Sequence, residues 1–75
     1  MKTKVLEKYN AVIIELKGDV MGGDDTKEFN QLLHKLIEEG KKNVVIDLGE
    51  VKFMNSSGLG MLISGLTTIK RENGS

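Results

Sequence analysis

The sequence predicts an α/β domain with its elements in the order β-β-α-β-α, a mixed sheet with helices packed on it. Three observations predict it. Val12, Ile14 and Leu16 alternate with their neighbours inside AVIIEL, the period of a strand. Phe29, Leu32, Leu33, Leu36 and Ile37 recur at i, i+3, i+4, i+7 and i+8, one apolar stripe of a helix. The dense run VVIDL is followed by a second such stripe, Leu59, Leu62, Ile63, Leu66 and Ile69, which supplies another strand and another helix.

In chain order, Lys2 to Lys8 and Ala11 to Lys17 read as two strands joined by Tyr9-Asn10, a hairpin. The stretch GDVMGGDD, rich in glycine and acid, reads as a loop. Asp25, with Glu28 three positions on, offers a capping box to open the first helix, and Gly40 closes it as the C′ residue. Asn43 to Leu48 is too apolar for a half-wet strand and suits the buried middle of a sheet. The second helix follows Ser56 and Ser57, and Asn73-Gly74 would stop it. A strand-helix-strand unit crosses over right-handed, which sets its two strands parallel with the helices packed on the sheet.

Seventy-five residues make one small domain, 1–75, without internal repeats or a linker. A chain of that size buries only about 60% of the surface its unfolded form exposes. Eleven basic and eleven acidic residues, interspersed, give zero formal net charge. No electrostatic footprint for nucleic acid or an anionic membrane results. With no cysteine there is no disulfide, thiolate nucleophile or thiolate metal site, which fits a reducing interior, and the cytoplasm is the expected location. No apolar run approaches the length of a spanning helix, and MKTKVLEKYN has no apolar region to act as a signal peptide, so the chain reads as soluble.

The stretch FMNSSGLGML carries the chemistry. Two serines stand where a strand ends and a helix begins, a place for a helix cap but also for a phosphate, a nucleotide or a nucleophile. Gly58 and Gly60 in the first turn each cost up to about 1 kcal/mol of helix propensity, so something uses the space they leave, either another backbone or an anion at the positive end of the helix dipole. A nucleophile elbow wants glycine two residues before its serine, and Met54 and Asn55 stand there instead. The single histidine, His34, lies off the apolar stripe of its helix and reads as a surface residue. A dinucleotide fingerprint needs a third glycine where Ile63 stands, and no Gly-Lys-Ser/Thr forms a phosphate loop. Asp24, Asp25 and Asp47 are explained by a loop, a cap and a strand end, not by a metal; Asp47 would lie at the carboxyl end of a buried strand. Met21, Met54 and Met61 flank the serines and fill a core or offer an adaptable contact surface.

At FMNSSGLGMLI the sequence resembles the STAS domain family, the bacterial anti-sigma factor antagonists, whose hallmark is a strand, then Asp-Ser-Ser/Thr-Gly-Leu-Gly, then a helix. AVIIELKGDV is similar to the family's second strand and its Leu-x-Gly-Glu/Asp-Leu end, and VVIDLGEVKFM to its central strand. The resemblance covers nearly all of the chain. It implies a non-enzymatic binding module without cofactor or metal. In that family the first serine is phosphorylated by a partner that is both serine kinase and anti-sigma factor, the unphosphorylated form captures this partner, and a phosphatase resets the switch. Carried over, the phosphoacceptor is Ser56, with Ser57 as the alternate. The partner-binding surface comprises Met21, Asp24, Met54, Asn55, Ser57, Gly58, Leu59 and Gly60.

Three departures stand out. Asn55 replaces the usual aspartate, and Met21 stands where the family often has an acid. The family also continues past the second helix, so the domain is expected to be C-terminally incomplete. An uncovered sheet edge then favours self-association by edge pairing. Two other readings follow from the residues themselves. One is a constitutive interaction module in which Ser56 only caps the helix, and the other is a nucleotide-binding module built on the Gly58-Gly60 helix start.

Overall fold

A computed structural model describes residues 1–41 and 43–73. The chain runs β1 (Lys2–Lys8), β2 (Ala11–Val20), α1 (Asp24–Glu38), β3 (Asn43–Met54) and α2 (Ser56–Asn73), in the predicted order. The sheet is mixed and ordered β1-β2-β3, with β1 antiparallel and β3 parallel to β2. Tyr9 and Asn10 turn the hairpin with φ of 51° and 68°, the two left-handed residues of a tight primed turn.

Alternation in β2 decides which face is inside. Val12, Ile14, Leu16 and Val20 are buried under the helices, whereas Ile13 lies on the opposite face in a row with Leu6 and Val45. From α1, Phe29, Leu33 and Leu36 join the core, as the apolar stripe requires. Its C-terminus closes on Gly40 at φ 77°: the Gly40 amide donates to Ile37 and the Lys41 amide to Leu36, at 3.0 and 3.1 Å, a Schellman closure.

Four expectations need correction. β2 runs on to Val20, beyond Lys17, because Gly18 at φ 83° absorbs an irregularity in register and lets Asp19 and Val20 continue the pairing with β3. Second, the capping box does not form. α1 starts at Asp24, its N-cap is Gly23 at φ 60°, and Asp25, already in the first turn, accepts from the Met21 amide at 3.3 Å and pairs with the terminal amine at 3.4 Å.

Third, β3 is an edge strand among the described residues and has no fully buried residue, because β2 takes the central place and the helices cover a single face. Asp47 accordingly sits in mid-strand, accepting from the Gly49 amide at 2.8 Å beside the register shift. Fourth, the predicted stripe of α2 is only half buried. Leu62 and Ile69 are inside together with Met61, while Leu59, Ile63 and Leu66 are 51%, 57% and 44% exposed. Glycine made that choice, since a Cβ on Gly65 would come within 2.6 Å of Phe29 and Leu33, so α1 and α2 cross where one helix has no side chain. Gly74, half of the expected stop, lies outside the described residues.

Candidate functional site

The site is assembled from two short connections at the carboxyl ends of β2 and β3: Met21 to Gly23 and the single residue Asn55. The Asn55 amide donates to the Val20 carbonyl at 3.3 Å, which ties the two strand ends together. Its side-chain oxygen accepts from the Gly58 amide at 2.8 Å, and its carbonyl accepts from Leu59 at 3.0 Å, the first turn of the helix. Asn55 is therefore the N-cap, bonding the amide three residues on. Neither serine caps the helix, contrary to that expectation. The signal was legible, because asparagine ranks with serine and aspartate at this position.

With the cap supplied by Asn55, the Ser56 and Ser57 hydroxyls have no hydrogen-bond partner among the described residues, and both residues are exposed. Their two amides are likewise unbonded, as the first amides of a helix are unless something outside it accepts from them. The first turn of α2 carries no acidic residue. The result is an exposed hydroxyl on the positive end of an 18-residue helix, in a setting without local negative charge.

The glycines divide the work. A Cβ on Gly58 would overlap the Val20 carbonyl oxygen, so this glycine is buried to let the helix start against the end of β2. Its space is filled by the protein's own backbone. A Cβ on Gly60 would meet nothing within 4 Å, so this position faces open space. Gly22, at φ 81°, packs on Ser57 so closely that a Cβ there would sit 2.8 Å from that of Ser57. This contact, invisible in the sequence, fixes the loop carrying Met21 against the serine turn.

Of the expected surface, Met21 is 45% and Leu59 51% exposed. Asp24 and Gly60 are exposed, and Met54 and Asn55 are half-buried. The loop and the turn are brought together by Gly22 on Ser57. Met61 is core, 4% exposed, and His34 is an exposed side chain on α1, remote in sequence from both connections. No helix is long and apolar enough to cross a membrane among the described residues.

Comparisons with known proteins agree with this architecture. The family model described as Mlab, STAS domain, matches residues 4–75. The solved anti-sigma factor antagonist SpoIIAA in its unphosphorylated form superposes with a TM-score of 0.73 at 17% identity, over 93% of this chain and 64% of that one. The Bacillus cell fate determinant SpoIIAA in the phosphorylated form gives 0.72 at 17% identity, with the same 93% and 64% coverage. The likeness is one of fold, and this chain spans 64% of the SpoIIAA chain it matches.

Proposed function

The chain belongs to the STAS domain family, and from that premise we propose that it is an anti-sigma factor antagonist-like binding module, switched by reversible phosphorylation of Ser56. Unphosphorylated, it captures a partner that is both serine kinase and anti-sigma factor; phosphorylated, it releases that partner, and a phosphatase restores the first state. It acts in the cytoplasm, with transcription as the output, and is not an enzyme. The carrying observation is that Asn55 does the capping and leaves the Ser56 hydroxyl exposed and uncommitted beside two open amides.

The physics of the switch is one of opposing local and interfacial effects. A phosphoryl group adds about −1.5 to −2 charges at pH 7, which the free amides and dipole of α2 accommodate. A close-packed partner surface fitted to a hydroxyl, over Met21 and Leu59, must then desolvate that charge and is repelled. That SpoIIAA, which shares the fold, has been solved in both forms supports the same reading.

The test is intact-mass analysis of the chain isolated from its host, with fragmentation to locate the phosphate, followed by capture assays on Ser56→Ala and Ser56→Asp. A phosphate on Ser56, capture by Ser56→Ala and loss of capture by Ser56→Asp are expected. A second reading, a constitutive interaction module, draws on the neutral surroundings created by Asn55 and Met21. Capture indifferent to Ser56→Asp would decide for it.

A further inference from the structure

Two features of the molecule lie outside the Ser56 site and lack a partner among the described residues. One is the outer edge of β3, a 12-residue strand paired on one side only. The other is the flank of α2 bearing Leu59, Ile63 and Leu66. At about 100° per residue these three cluster roughly 105° round the helix from the buried stripe of Gly58, Leu62, Gly65 and Ile69. We propose that both are covered by a second copy of this chain, in a two-fold dimer whose β3 strands pair antiparallel, Val51 against Val51, to form a continuous six-stranded sheet.

Charge selects the register. With the two-fold at Val51, Glu50 stands opposite Lys52 of the other copy, twice, and Gly49 opposite Phe53. Antiparallel partners must point to the same face, so the regular alternatives are slips of the two-fold by one residue along the strand. One slip places Glu50 against Glu50, and the other places Lys52 against Lys52. Both neighbouring registers are thus penalised by like charges. Glu50 is held at 3.2 Å by Lys17 of β2, so the row across the seam alternates in sign.

The helices fit the same operation. α2 contacts β3 and, through Gly58, the end of β2, so it lies over that half of the sheet. Strands about 4.8 Å apart then put α2 and its symmetry mate roughly 9.6 Å from each other, within the usual 8–10 Å helix spacing. After Asn55, α2 turns back along β3. Four strand residues separate Val51 from Asn55, about 13 Å, and a helix rising about 1.5 Å per residue from Ser56 covers that distance near residues 63–64. The two-fold chosen by charge on the strand therefore passes the helix at Ile63, the middle of the exposed stripe. Gly60, open to space, lies level with Leu66 of the other copy and can receive it.

The test combines sedimentation equilibrium with hydrogen exchange on the full chain. A species of twice 8.3 kDa is expected, with amides of residues 48–54 protected in the dimer and exchanging on dilution. Lys52→Glu should raise the dimer dissociation constant about tenfold, and adding Glu50→Lys should restore it. Ile63→Asp, at an exposed position, should abolish the dimer while leaving the circular dichroism of the monomer intact. If Ile63→Asp fails to fold, the charge swap still decides. A compact monomer at high concentration overturns the proposal. So does a dimer indifferent to Lys52→Glu, or a β3 edge that needs a different protein to become protected.

Discussion

Asn55 is the residue on which the N-terminus of α2 turns. It bonds Val20 through its amide and Gly58 through its side chain, so truncating it disturbs a cap at the junction of two strand ends. Asn55→Ala is expected to lower stability by about 1 kcal/mol, the usual loss of a side-chain cap. Asn55→Asp keeps the bond and adds a charge the dipole favours, and should gain about 0.3–1 kcal/mol. Ser56→Ala should change stability by less than about 0.5 kcal/mol, since its hydroxyl bonds nothing among the described residues. Urea unfolding of the three variants checks this order. Loss in Ser56→Ala equal to that in Asn55→Ala would return the cap to serine and remove the main support for a freely available phosphoacceptor.

At the scale of elements, the glycines of α2 form a graded set. Gly58→Ala should be the most damaging, because the obstacle is the Val20 backbone, which cannot move aside as a side chain can. Gly65→Ala meets Phe29 and Leu33 and should cost about 1–3 kcal/mol through overpacking. Gly60→Ala meets nothing and should stabilise by up to about 1 kcal/mol, the helix propensity that glycine forfeits. Thermal unfolding of the three checks this series. The same glycines account for what the sequence showed and concealed. The α1 stripe and its Gly40 stop were legible because period and cap agree. In α2, two apolar flanks lie side by side, and periodicity cannot say which turns inward; close approach at Gly58 and Gly65 decides it. The same holds for β2, whose extension depends on one left-handed Gly18, and for β3, whose apolar run cannot report that it lies at an edge. At the site, the serine turn was legible by motif, whereas the Gly22 contact with Ser57 joins residues 35 positions apart in the numbering and has no local signal.

For the whole molecule, the balance between a small core and a large exposed apolar surface ties stability to concentration. The buried core is built from one face of β2 and the facing sides of two helices, while Leu48, Phe53, Leu59, Ile63 and Leu66 each stay more than 40% exposed. If a second copy covers them, unfolding of the dimer yields two chains, and each tenfold rise in protein concentration adds about 1.4 kcal/mol per dimer. The expected signature is a Tm rising about 3–6 °C per decade of concentration, measured by differential scanning calorimetry. Ile63→Asp should flatten that slope and Lys52→Glu should lower the whole line. A Tm of the unaltered chain that does not move with concentration excludes the dimer as the source of stability. Leu59 couples this assembly to the proposed switch, because it belongs both to the dimer flank and to the surface beside Ser56. Partner capture by the unphosphorylated chain should therefore titrate the dimer apart, and phosphorylation, by releasing the partner, should let it reform.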